Sequence, residues 1–285
     1  MEGKNQIEGA IRALEKEEMS RKGFLTLTGV AGIALAVSRI SKRAMAGPSK
    51  NKPKHRYAMV IDLARCVGCE ACTVACKVEH NVPVASPKEL FRRIEWTEVY
   101  FKEGGTYPHV KTALNPRPCM HCENPPCVSV CPVGATYQDK DRGLVLQRYE
   151  RCIGCRACAI SCPYGARYFN WSKPDYGGKL REQALNPDSH PQVKKRYKGI
   201  IEKCTFCVEY LDRLEAMAEK EGRAIRDKEL CRVCTCVKTC MGGARYFGDL
   251  GDPDSTVSKL ARSKRAFRVF EELGTEPKVI YLKEA

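Results

Sequence analysis

Cys152-Ile153-Gly154-Cys155-Arg156-Ala157-Cys158-Ala159-Ile160-Ser161-Cys162-Pro163 is the stretch on which the reading of the whole chain turns. Its four cysteines stand at x2, x2 and x3 spacing, and a proline closes the run. The same spacing recurs upstream in group one, Cys66, Cys69, Cys72 and Cys76. Group two, Cys119, Cys122, Cys127 and Cys131, widens the middle gap to x4 and keeps the closing proline as Pro132. Group four is less regular, with Cys204 and Cys207 followed by Cys231, Cys234, Cys236 and Cys240. The likeness extends beyond the cysteines. Met59-Val60-Ile61-Asp62 leads through Arg65 into group one, as Leu144-Val145-Leu146-Gln147 leads through Arg151 into group three. Three groups share an exit: Gly134-Ala135-Thr136-Tyr137, Gly165-Ala166-Arg167-Tyr168-Phe169 and Gly243-Ala244-Arg245-Tyr246-Phe247. Self-similarity of this kind points to a duplicated small unit. Each copy reads as a short strand, a cysteine loop, a helical turn carrying the last cysteine, and a second strand.

The spacing has a chemical reason. Three thiolates at x2-x2 spacing can wrap three corners of a [4Fe–4S] cube from one loop, while the fourth, three residues on, points toward a second cube. This is the run of bacterial ferredoxins, whose last cysteine is followed by proline. Lys77 and Met241 replace that proline in groups one and four. A disulfide network competes, because 18 cysteines is an even number. Three cysteines in step two residues apart cannot, however, all find unstrained partners. Structural zinc wants cysteine pairs separated by a dozen or more residues, without a third in step. Iron–sulfur clusters are the expectation.

Composition bounds the rest. The chain has 285 residues and a formal charge of +15, from 49 Lys and Arg against 34 Asp and Glu. Its mean hydropathy is −0.41, and no apolar run reaches the roughly 18 residues of a spanning helix. A polytopic membrane protein is excluded. Phe24 to Val37 is apolar and too short to span, matching a signal h-region. Ser20-Arg21-Lys22-Gly23-Phe24-Leu25 precedes it and resembles a twin-arginine export signal with lysine as the second base. Ala44-Met45-Ala46-Gly47 supplies a small-x-small cleavage site. Residues 1–46 are therefore expected to be a twin-arginine-like signal, or a membrane anchor if uncleaved, and 47–55 a linker. The route carries folded proteins, as a cofactor inserted in the cytoplasm requires. The charge alone suggests nucleic acid or an anionic membrane. Thiolate-ligated iron–sulfur clusters carry net negative charge, so counter-charge for buried anionic clusters explains it better.

The four groups resemble the iron–sulfur subunits of dimethyl sulfoxide, polysulfide and formate-dependent nitrite reductase complexes. They are also similar to those of heterodisulfide-reductase-like menaquinol oxidoreductases and of the sulfite-reduction-associated complex. The resemblance covers roughly 56–282. It implies an α+β fold of two interleaved bacterial-ferredoxin-like units. An inner unit, 115–170, would be inserted in an outer one, 56–114 plus 171–250, with 251–285 as a partner-binding tail. It further implies that groups one and four share two clusters, as do groups two and three. Cys66, Cys69, Cys72 and Cys240 would hold one; Cys76, Cys204, Cys207 and Cys236 a second. Cys119, Cys122, Cys127 and Cys162 would hold a third, and Cys131, Cys152, Cys155 and Cys158 a fourth. Cys231 and Cys234 are left over as substitutes in group four or a strained disulfide. The implied function is electron relay between a quinone- or menaquinol-reactive integral-membrane subunit and a catalytic molybdopterin or multihaem subunit. The implied place is the outer face of the cytoplasmic membrane, peripheral and extracytoplasmic.

Other residues say less. His80 and His121 are expected to be spectators, since sixteen thiolates already satisfy four cubes. Arg65, Arg151 and Lys203 each precede a first cysteine and either tune a cluster or are merely solvated. Trp96 and Trp171 read as core or shielding residues, and Ser255 to Leu273 as a basic surface helix. No GxGxxG, Walker loop or Ser/His/Asp constellation stands in the mature chain, so no bond chemistry is expected. The alternatives are a self-standing soluble polyferredoxin and a zinc-stapled nucleic-acid-binding protein. The insertions Lys77 to Pro118 and Val208 to Leu230 argue against the first, and the triple cysteines against the second.

Overall fold

In the computed structural model, residues 54–83, 93–172 and 197–284 are described. The signal-like segment lies outside them. The cysteine repeats begin at β1 (Tyr57–Asp62), whose six residues are all buried. Period-two alternation gives β1 two apolar faces. Tyr57, Met59 and Ile61 join the main core, in which cysteines of all four groups are embedded or packed. Ala58 and Val60 face a smaller cluster with Val257, Ile280 and Leu282. Cysteine thus fills core volume that apolar side chains fill elsewhere.

Group one continues into α1 (Ala71–Glu79). The insertion after it forms a hairpin, β2 (Thr97–Gly104) with β3 (Lys111–Pro118), whose base is buried and whose far half is exposed. Group two carries the one-turn α2 (Pro126–Ser129), and then β4 (Thr136–Gln138) pairs antiparallel with β5 (Val145–Gln147) on the way into group three. Group three carries α3 (Ala157–Ile160) and exits through β6 (Tyr168–Phe169). β7 (Ile201–Glu202), which leads into group four, pairs antiparallel with β6. The second insertion is α4 (Val208–Lys220) and α5 (Asp227–Leu230). Group four then carries α6 (Thr235–Lys238) and exits along β8 (Arg245–Asp249). The chain closes with α7 (Thr256–Ala261), β9 (Ala266–Phe267) and β10 (Val279–Leu282). β8, β1, β10 and β9 lie in that order in one sheet, β8 antiparallel and β10 parallel to β1.

Three expectations change. In groups two, three and four the helical turn carries the third cysteine, Cys127, Cys158 or Cys236, and the fourth follows its last residue. Only α1 runs through its fourth cysteine, Cys76. Pro132 and Pro163 cannot continue a helix, but group four ends its turn at Lys238 with Met241 in the proline position. Ser255 to Leu273 is not one helix but α7, β9 and a 3₁₀ turn at Glu271–Leu273. The segment 251–285 contributes β10, fully buried beside β1, so its last part is core rather than appendage.

Candidate iron–sulfur centres

Groups one and three share their backbone in detail. A 3₁₀ turn precedes Cys66 and another precedes Cys152. Each helix is then entered from a left-handed residue, Glu70 or Arg156. The residue before the second cysteine is left-handed in all four groups: Gly68 at φ 69°, His121 at 44°, Gly154 at 68° and Phe206 at 56°. That turn bends the loop so that successive thiols face one centre. Glycine adopts it freely, whereas a side chain costs on the order of 1–2 kcal/mol. His121 and Phe206 accept that cost while stacking on each other, with centroids 3.9 Å apart and planes at 18°. The repeated exit glycines, Gly134, Gly165 and Gly243, are also left-handed. They turn the next backbone N–H groups toward the fourth cysteine. Thr136 N–H donates to Cys131 Sγ at 3.4 Å and Ala244 N–H to Cys240 Sγ at 3.2 Å.

The thiols converge in sets. Cys66, Cys69, Cys72 and Cys240 line one cavity with Arg65, Gly242 and Arg245. Burial raises the Cys66 thiol, and Cys72 and Cys240 add to that rise. Burial also raises the Cys76 thiol, helped by Cys204, Cys207 and Cys236. Cys122 is pushed up to about 12, by burial and then by Cys119, Cys127 and Cys162. Burial and the Arg245 guanidinium act oppositely on Cys236, which stands at about 12. Of the remaining four, Cys152 packs beside Cys158, and Cys155 is exposed on an open groove lined by Arg156, Ile160 and Trp171. Cys131 is held low, against its burial, by backbone N–H groups of its own exit turn. α1 packs on α6 and α2 on α3, which joins group one to group four and group two to group three. Among the described residues all eighteen cysteines are free thiols, Cys231 and Cys234 included. Crowded thiols that raise each other's pKa suit a cationic iron core, which replaces their protons. The residues fit the group.

Both histidines are buried among the cysteine loops. His121 is fully buried. Its Nδ1 accepts the Val145 N–H at 3.2 Å, so Nε2 carries the proton and donates to the Cys204 carbonyl at 3.0 Å. Burial and then the nearby Lys203 and Lys278 cations keep the ring neutral, well below its ordinary pKa. Lys203 Nζ donates to the same carbonyl at 2.6 Å. His80 Nε2 lies 3.1 Å from Cys207 Sγ and its ring stacks on Trp96. Cys234 is buried against Cys207 and Phe206. Its thiol stays protonated, by burial and then by Cys207, whereas Cys207 is held low first by the hydrogen bond from Cys234. The three basic residues before the first cysteines divide, with Lys203 fully buried and Arg65 and Arg151 exposed. Trp96 is core and donates to Glu202 at 3.2 Å, whereas Trp171 is about half exposed under Arg156.

Two residues of the exits carry more than strand-forming character. Arg245 and Arg167 are buried, and they donate to Cys72 Sγ at 3.3 Å and to Cys127 Sγ at 3.0 Å. The legible signal was the arginine repeated after Gly-Ala in two of three exits.

The comparisons agree with this architecture. Residues 65–135 and 110–177 each match a family described as a 4Fe–4S dicluster domain. The chain is 44% identical over 234 residues to the iron–sulfur cluster-binding subunit of menaquinone reductase from Nitratidesulfovibrio vulgaris. That alignment covers 80% of this chain and 89% of the relative. It is 40% identical over 237 residues to a subunit of the selenate reductase from Mesobacillus selenatarsenatis, covering 80% and 72%. It is 36% identical over 286 residues to the Hdr-like menaquinol oxidoreductase iron–sulfur subunit 1 of Archaeoglobus fulgidus, covering 93% and 98%. Two dicluster domains amount to four [4Fe–4S] clusters, and the catalysis of such complexes resides in partner subunits. The chain belongs to the family of iron–sulfur electron-transfer subunits of membrane-associated oxidoreductase complexes.

Proposed function

We propose that the chain is a four-station electron conduit between two partner proteins, with its ends at groups one and three. Cys66, Cys69, Cys72 and Cys240 hold the first cluster, and Cys76, Cys204, Cys207 and Cys236 the second. Cys119, Cys122, Cys127 and Cys162 hold the third, and Cys131, Cys152, Cys155 and Cys158 the fourth. Each cluster takes up and returns one electron with no bond made or broken. The chain's own part is to hold, insulate and expose. Two ferredoxin-like units interleave, the outer one closing through β1 and β8. Cys231 and Cys234 bind no iron.

One observation carries the reading. Cys69 and Cys155, the second cysteines of groups one and three, are exposed, whereas all of the second and third sets except Cys162 are buried. Exposed apolar side chains surround each open end. Val67, Val74 and Met241 are 68%, 61% and 81% exposed near one, and Ile153 and Ile160 are 63% and 85% exposed near the other. Val67 and Ile153 occupy the same position in their repeats, as do Val74 and Ile160. Residues of this kind cover a cluster until a partner does.

One partner is an integral-membrane quinone-reactive subunit and the other a catalytic molybdopterin or multihaem subunit. The support is the company of the relatives, whose names include a menaquinone reductase, a menaquinol oxidoreductase and a selenate reductase. No helix among the described residues is long and apolar enough to cross a membrane, so attachment is peripheral or through residues 1–46. The twin-arginine-like signal puts the folded subunit on the outer face of the cytoplasmic membrane. Purification under mild detergent tests the reading. The expected result is about sixteen irons per chain, with a membrane subunit and a catalytic subunit attached. A lone iron-loaded monomer would contradict it.

A further inference from the structure

The exits of the cysteine repeats read Gly-Ala followed by Thr136, Arg167 or Arg245. Arg167 is 6% exposed and Arg245 4%. A cation at that depth costs several kcal/mol unless it is matched. The groups that each guanidinium meets are sulfur and neutral oxygen. Arg167 donates from Nη2 to Cys127 Sγ at 3.0 Å, and from Nη1 to Thr136 Oγ1 at 3.1 Å and Gln147 Oε1 at 3.4 Å. Arg245 donates from Nη2 to Cys72 Sγ at 3.3 Å and to Thr97 Oγ1 at 3.0 Å, and Met59 Sδ lies 3.8 Å from its Nη1. The compensating charge must come from thiolates.

The two sites are alike. Each guanidinium is clamped by one threonine hydroxyl and one cysteine sulfur. For Arg167 the threonine is Thr136, which stands where the sister repeat has arginine, so each cluster pair receives one arginine rather than two. Each cation also straddles a pair. Arg167 donates to Cys127 of the third set and lines the open groove of Cys155 in the fourth. Arg245 donates to Cys72, lines the cavity of Cys66, Cys69 and Cys240 in the first set, and meets Cys236 of the second.

We propose that Arg167 and Arg245 are positioning residues, one for each pair of clusters, whose buried charge raises the reduction potential of both members and offsets the repulsion between them. The inference rests on the ligand pairing proposed above. A fixed positive charge favours the reduced, more negative cluster. Placed between two clusters it also lets one stay reduced while its neighbour accepts an electron.

The test is a redox titration followed by electron paramagnetic resonance on the iron-loaded complex. Signals are assigned to pairs by those lost in Cys69→Ser and Cys155→Ser. Arg245→Met is expected to lower the midpoints of both clusters in the group one and four pair, each by about 59 mV, a tenfold change in its one-electron equilibrium constant. It leaves the other pair unmoved, and Arg167→Met does the reverse. Arg245→Lys, which keeps the charge, restores most of the shift. Arg213→Met, on an exposed face of α4, moves nothing. Should Arg245→Met lose iron, Arg245→Gln retains a hydrogen-bond donor without the charge and is expected to show the same fall. Unchanged midpoints in a fully loaded neutral variant overturn the charge effect. Shifts falling on one cluster of each pair overturn the pairing, and with it the arrangement of one arginine per pair.

Discussion

Glycine and an aromatic ring occupy the same left-handed position in different parts of this molecule, and the difference separates its ends from its middle. In groups one and three the position is Gly68 and Gly154, the second cysteine is exposed, and the apolar side chain beside the glycine faces solvent. In groups two and four it is His121 and Phe206, the neighbouring cysteines are buried, and the two rings stack face to face. The same Cys-x2-Cys opening therefore serves two purposes. With glycine the loop is thin and another protein can approach the sulfur closely. With a ring the loop gains a side chain that packs against the other unit. His121 then ties group two to group four through the Cys204 carbonyl. The strain of two non-glycine residues in the left-handed region is held by that packing.

Removing iron should erase the comparison altogether. Eight cysteines lie within the main buried core, and metal-binding free energy is folding free energy in such sites. A chelator under denaturant-free conditions is expected to abolish the far-ultraviolet circular dichroism of the folded chain as iron leaves. Retention of a native spectrum by the iron-free chain would count against a cysteine-built core. The next largest effect falls in the middle. Phe206→Ala removes a ring that is 1% exposed between His121 and Phe247, and should cost about 3–5 kcal/mol in denaturant unfolding. Ile160→Ala at the open end, 85% exposed, should stay within about 0.5 kcal/mol. Equal losses in the two would dissolve the distinction.

Two smaller effects sharpen it. Ile153→Asp should leave iron content and stability unchanged while slowing electron exchange with the partner, by roughly tenfold if one apolar contact worth about 1.4 kcal/mol is lost. An undiminished rate in the purified complex would remove that end from the docking surface. In group four, Cys236→Ser should cost one cluster, whereas Cys234→Ser should retain all four. Loss of a cluster in Cys234→Ser alone, counted as iron per chain, would exchange the roles of the two cysteines.

The cysteine spacing made the cluster chemistry and the duplication legible, because three thiols in step have few other uses. The strands entering groups one and three were legible for an equally local reason, the apolar runs at Met59 and Leu144. The roles of His121, Phe206 and Lys203 were not. They depend on group two and group four meeting, some 80 residues apart in sequence, and no local pattern encodes that contact. The ends of the helical turns were misjudged because the cysteine run does not say where a backbone carbonyl loses its partner: Lys77 and Met241 both replace proline, and only α1 extends. The basic segment after Ser255 reads as a helix by composition. β10 draws it into the sheet instead, since Val279 to Leu282 buries more apolar surface beside β1 than a solvated helix would. Arg167 and Arg245 stood in the repeat throughout, but only their burial separates them from the exposed Arg65 and Arg151.

An anomalous difference map at the iron edge, from crystals of the loaded subunit, addresses the ligand assignment directly. Four separate four-iron peaks are expected, each iron bound by one cysteine. One lies within bonding distance of Cys66, Cys69, Cys72 and Cys240, and one of Cys76, Cys204, Cys207 and Cys236. One lies at Cys119, Cys122, Cys127 and Cys162, and one at Cys131, Cys152, Cys155 and Cys158. Cys231 and Cys234 stay unbound. Fewer than four peaks, or a second peak held by Cys234 in place of Cys236, would contradict it.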